Sequence, residues 1–111
     1  MCVIALMPQP RGEAYVHRVP LYIVARNSPR LTVKSLIVAQ LALVQASRRL
    51  AAAGAQITYL GSTFVPRTAQ CFCLFEAPGP DLVRSLNEAA SFGYSSVEEA
   101  VDLPAPASGQ R

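Results

Sequence analysis

The chain has 111 residues, enough for one domain with its own core and no need of disulfides or a metal to hold it together. Half of it is apolar (51%), only 15% is charged, and the mean hydropathy is +0.28, a greasy balance for a soluble monomer that points to a buried subunit contact. Ten basic residues against seven acidic ones give a net charge of +3, too sparse and too scattered for a nucleic-acid footprint.

A membrane span is set aside on length. The best candidate, Leu31 to Leu50, is broken by Lys34, Arg48 and Arg49, whereas a crossing needs about 20 apolar residues. The opening Met1 to Pro8 has no basic leader and only a short apolar run, so a cytoplasmic location is expected. Cys2, Cys71 and Cys73 are an odd count, and two positions apart on one strand is poor geometry for a disulfide, so reduced thiols are expected.

Residues 1–19 carry Pro8, Pro10, Gly12 and the single histidine, His17, and read as an N-terminal extension. Residues 20–103 read as the folded domain. Leu21 to Ala25 is a β-rich run after Pro20, closed by Asn27, Ser28 and Pro29. Arg26, Arg30 and Lys34 form a loose basic cluster at its end, read as a solvated face. Thr32 can cap the helix that follows, in which Val33, Ile37, Leu41 and Val44 recur at helical spacing, flanked by Leu36, Leu43 and Leu50. Gly54 supplies a left-handed stop.

Gln56 to Val65 is a second strand, with Gly61 marking a bulge. Pro66 to Gln70 is a hairpin turn, and Cys71 to Phe75 returns beside the second strand. This third strand has no polar residue on either parity. Cys71, Cys73 and Phe75 point one way, Phe72 and Leu74 the other, so both faces need cover. Pro80 suits the first turn of a second helix, with Leu82, Val83, Leu86, Ala89 and Ala90 as its apolar stripe, stopped near Gly93. Val97 to Leu103 alternates weakly as a last strand, and residues 104–111 read as a disordered Pro/Ala/Ser/Gly tail.

The order β-α-β-β-α-β is a split pair of βαβ units. It predicts an α+β, ferredoxin-like domain, a four-stranded antiparallel sheet with two helices on one face. The bare second face is expected to meet a copy of the chain or the N-terminal extension, and a two-fold homodimer through the sheet face is the commonest closed solution.

The runs YLGSTFVP and CFCLFEAP, the PDLVR helix start and the closing EEAVDL resemble a small bacterial domain-of-unknown-function family of ferredoxin-like fold whose named member is a nickel-binding protein. The resemblance covers Val19 to Leu103 and is most specific from Tyr59 to Val83. It implies a small cytoplasmic homodimer that in some members binds a divalent metal. No ligand set carries over, because nickel favours imidazole and carboxylate donors and His17 lies outside the matched region.

Four residues, Glu76, Tyr59, Cys73 and Phe72, stand out as candidate ligand-binding groups. Glu76 shares a strand face with Phe72 and Leu74, which places a carboxylate at the rim of an apolar surface; the alternative is a strand-end Glu in water or paired with an arginine such as Arg67. Tyr59 offers a polar tip on a large apolar body. Cys73, with Cys71 and Cys2, could chelate a soft metal, or the strand cysteines could simply pack as small hydrophobes. No phosphate loop, nucleophile elbow, paired-carboxylate motif or HExxH is present.

The RNA-recognition motif shares the topology, with Tyr22 as its stacking platform. In its third-strand signature only Phe72 matches, and base stacking needs a solvated sheet face, so nucleic acid is set aside. The expectation is a non-enzymatic homodimer that binds a small ligand or a divalent metal, with the ligand and any cofactor unspecified. The alternatives are a dimeric α/β-barrel enzyme of the monooxygenase type and a protein interaction or oligomerisation module.

Overall fold

The computed structural model describes residues 19–106. Cys2, His17 and the rest of the N-terminal extension, and the end of the tail, lie outside the described residues. The elements are β1 (Leu21–Asn27), α1 (Val33–Ala52), β2 (Thr58–Val65), β3 (Gln70–Glu76), α2 (Pro80–Ala89) and β4 (Ser96–Ala100). The sheet runs β2-β3-β1-β4 with every neighbouring pair antiparallel, the expected ferredoxin-like α+β arrangement.

Strand period decides which residues meet the helices. On β1 these are Tyr22, Val24 and Arg26, and on β3 they are Cys71, Cys73 and Phe75, all buried. They pack with Leu36, Leu43 and Ala46 of α1 and with Val83 and Leu86 of α2. Tyr22 is thus enclosed in the core and offers no platform for a base.

Local signals place the helix ends. The Thr32 hydroxyl accepts the Ser35 N–H at 3.1 Å, and Gly54, at φ 98°, comes just after the last turn of α1. Pro80 opens α2, where a missing N–H leaves nothing unpaired. The hairpin turn closes on Ala69 at φ 57°, a left-handed position that most L-residues avoid. It is held there by the Ser28 N–H, which donates to the Ala69 carbonyl at 2.6 Å.

Three expectations need correction. The stripe of α1 that faces the sheet is Leu36, Leu43 and Ala46, with Leu50 packed against the core, while Val33, Ile37 and Leu41 are exposed. Leu36, Leu43 and Leu50 stand seven residues apart and so return to nearly the same side of the helix, the side that packs on the core. Arg26 is not on a solvated face: it shares the parity of Tyr22 and Val24 and is only 3% exposed. The last strand ends at Ala100, so Val101 and Leu103 lie beyond the ladder and are exposed.

Candidate functional site

The fold separates the four sequence-predicted residues into two pairs. Phe72 and Glu76 lie on the open face of the sheet, with Leu74 between them, while Tyr59 and Cys73 point to the helices. No single site contains all four. Arg67 sits in the turn that joins β2 to β3, at the opposite end of β3 from Glu76, so it is not the partner of that carboxylate. Glu76 instead borders a groove with Val19, Gln56 and Thr58.

The bulge at Leu60 and Gly61 builds the helix-side arrangement. Tyr59 stands opposite Phe75 and Ser62 opposite Cys73, with the register shifting between Tyr59 and Gly61. In a regular strand, residues three apart point to opposite faces. The extra residue turns Ser62 to the side of Tyr59, and Gly61 accepts the required φ of 146°. The Ser62 hydroxyl donates to the Cys73 sulfur at 3.0 Å and is hydrogen-bonded to the Tyr59 hydroxyl. Burial pushes the Tyr59 hydroxyl above its ordinary pKa, although its bond to Ser62 pulls the other way.

Beside this chain of hydroxyls and thiol opens a cleft of about 140 Å³ between α1 and the sheet. Its walls are Val33, Leu36, Ile37, Phe64 and Phe92, and its polar corner is Gln40, Ser62 and Cys71. Burial raises the Cys71 thiol to about 11, with the neighbouring Cys73 adding to the effect. At neutral pH Cys71, with no cation among the described residues beside it other than Arg26, is therefore a protonated thiol rather than a nucleophilic thiolate.

Arg26 adjoins two residues of this cleft, Cys71 across the strands and Phe92 through its ring, and itself borders the neighbouring groove at the end of β1. One of its terminal nitrogens, Nη1, donates to the carbonyls of Phe92 and Gly93, both at 3.0 Å, and Nη2 donates to the Asn87 Oδ1 at 2.7 Å. Asn87 is itself fully buried and donates its Nδ2 to the Val83 carbonyl at 2.8 Å. The Phe92 ring lies over the guanidinium at 3.7 Å, a cation–π contact. The Nε–H meets no partner in hydrogen-bond geometry, although the Cys73 and Cys71 sulfurs are near enough to favour the charged form. Desolvation dominates and lowers the pKa of Arg26 from its ordinary value.

Sequence reasoning groups Arg26 with its exposed neighbours Arg30 and Lys34 and so misses this group. The signal that finds it is parity: counting in twos from Tyr22 through Val24 lands on Arg26, on the buried side.

The open face carries the second candidate surface. Ile23 (36% exposed) and Leu60 (45% exposed) stand beside the half-buried Phe72 and Leu74, around a groove of about 410 Å³. Apolar side chains on adjoining strands, left part-exposed among the described residues, form the kind of contiguous patch that marks a contact surface.

Comparison with known proteins bears on the fold and the family. No curated protein matches the sequence. Among solved structures the fold is similar to the crystal structure of SCO4226 from Streptomyces coelicolor A3(2), with a TM-score of 0.63 and 19% identity. That match covers 77% of this chain and 99% of the other. The model of the family described as nickel responsive protein SCO4226-like matches residues 22–99, from the second residue of β1 almost to the end of β4. The chain belongs to the SCO4226-like family of nickel responsive proteins.

Proposed function

We propose that the protein is a non-enzymatic binding protein, a homodimer joined through the open face of its sheet that takes up a small ligand. The observation that carries this reading is the apolar face of β3 and β1, which no other described residue covers fully. At about 25 cal/mol per Å² of apolar surface removed from water, covering Ile23, Leu60, Phe72 and Leu74 on two copies at once is a substantial drive to associate. A two-fold axis across the sheet closes the assembly with the same patch on both sides. Residues 20–103 would form the shared domain, with the N-terminal extension and the tail outside it.

The family description raises nickel as the ligand. Among the described residues no group of three or more His, Cys, Asp or Glu side chains comes together. Cys71 and Cys73 are neighbours, but the buried guanidinium of Arg26 stands beside them and opposes a second cation. The described residues of one subunit do not fit a resident nickel ion, whose usual donors are imidazole and carboxylate.

The test is light scattering of wild type and Leu74→Lys, together with titration of nickel by calorimetry. Leu74→Lys should run as a monomer with its far-ultraviolet spectrum unchanged. A variant that stays dimeric would place the contact elsewhere.

A further inference from the structure

The cleft under α1 joins three features that the binding reading above does not by itself explain. Its walls are apolar, its polar corner offers the amide of Gln40 beside a Ser62 hydroxyl that already donates to Cys73, and no acidic residue lines it. Beyond its lining residues Phe92 and Cys71, a guanidinium that itself borders the neighbouring groove is buried among carbonyls, an amide oxygen, a ring face and two thiols, with one N–H left without a partner. Phe92 and Cys71 both line the cleft, and both adjoin Arg26: the first stacks on it and the second is its cross-strand neighbour. A buried cation whose neighbours are all neutral favours an anion next to it more strongly than water would allow, because the surrounding dielectric is low.

Size narrows the class. A cavity of about 150 Å³ lined by Leu, Ile and Phe accommodates benzene, and this cleft is about 140 Å³. Val33 and Ile37 at its mouth are more than half exposed, so entry from solvent needs no opening of the core.

We infer that the cleft between α1 and the sheet binds a small organic carboxylate about one ring in size, its apolar body between Ile37 and Phe64 and its acid group against the Gln40 amide. This rests on the reading of the protein as a ligand binder and names the class of ligand. Arg26 acts across Phe92 and Cys71: it sets the sign of charge that the corner accepts.

The experiment is calorimetric titration of the full-length chain with sodium benzoate and, separately, with benzyl alcohol, which keeps the ring and removes the charge. Benzoate should bind about tenfold more tightly, as expected when a charge-assisted interaction replaces a neutral one. Ile37→Trp, which fills the mouth at an exposed position, should abolish both. Gln40→Glu, which places a carboxylate at the corner without touching the buried Arg26, should reverse the preference. Equal binding of the two probes, no binding of benzoate in the millimolar range, or full affinity in Ile37→Trp would each overturn the assignment. If benzoate fails while native mass spectrometry shows another small molecule retained on the protein, the ligand class is wrong and the binding reading stands. If benzoate is chemically altered, the non-enzymatic reading fails with it.

Discussion

Replacing Arg26 with methionine removes a buried charge while keeping most of the side-chain length, and the consequences can be worked out contact by contact. Three acceptors lose their donor: the carbonyls of Phe92 and Gly93 and the Oδ1 of Asn87. Phe92 is half-buried and Gly93 is exposed, so water can replace those two bonds. Asn87 is fully buried, and an acceptor stranded there costs about 1–3 kcal/mol. The lost cation–π contact with Phe92 adds about 0.5–1 kcal/mol. Against these stands the relief of no longer burying an Nε–H that has no partner, worth about 1 kcal/mol or more. The balance is a loss of about 2 kcal/mol, read as a lower urea midpoint at unchanged slope. The double variant Arg26→Met with Asn87→Leu leaves no acceptor stranded at that position and should regain about 1 kcal/mol over the single variant. If Arg26→Met proves as stable as wild type, the guanidinium contributes nothing net to the fold and the contact-by-contact balance is wrong. If the double variant is no better than the single one, Asn87 is not the partner that matters.

Three further outcomes rest on the same geometry. Ala69→Gly should stabilise the protein by about 1 kcal/mol in thermal or chemical denaturation, because only the substitution relieves the left-handed φ of 57°. Thr32→Ala should destabilise it by about 1 kcal/mol through loss of the bond to the Ser35 N–H. The Cys71 thiol is raised from 9.0 to about 11, so the folded state holds its proton more tightly than the unfolded chain. Stability from this group is complete below pH 9 and is lost as pH rises toward 11, by on the order of 2 kcal/mol. Cys71→Ala should flatten that alkaline decline in denaturation curves measured from pH 8 to 11; an unchanged slope would mean that Cys71 is not its source.

How much of the fold is legible in the sequence depends on which signals are local. The bulge at Gly61, the cap at Thr32 and the stop at Gly54 rest on single residues with strong backbone or side-chain preferences, and each reads directly. The two apolar parities of Cys71 to Phe75 likewise announce a central strand, which β3 is, between β2 and β1. The helix α1 is harder, because it is apolar around more of its circumference than the sheet can cover. Val33, Ile37 and Leu41 carry as good a helical period as Leu36 and Leu43, and only the packing decides between them. Arg26 is hidden by its type, since a charged residue near a strand end is ordinarily solvated. The pairing of Tyr59 with Cys73 through Ser62 depends on a bulge that changes facing by one residue, which locates the site only once its exact position is known.

The chemistry of the site is less local still. Nothing in the run Val33 to Gln40 says that it will border Ser62 and Cys71, because that cleft exists only where a twenty-residue helix crosses the edge of the sheet. The family relationship supplies the fold and the word nickel. The donor set that such a metal would need is not assembled among the described residues of one chain.

Self-association through the open side of β3, where Phe72 and Leu74 stand beside Ile23 and are part-exposed among the described residues, is the central claim. Native mass spectrometry of the wild-type protein, sprayed from low-micromolar solution, addresses it most directly. The predicted result is a species of twice 11.9 kDa that persists on dilution. A stable single chain of 11.9 kDa across the same range would contradict it.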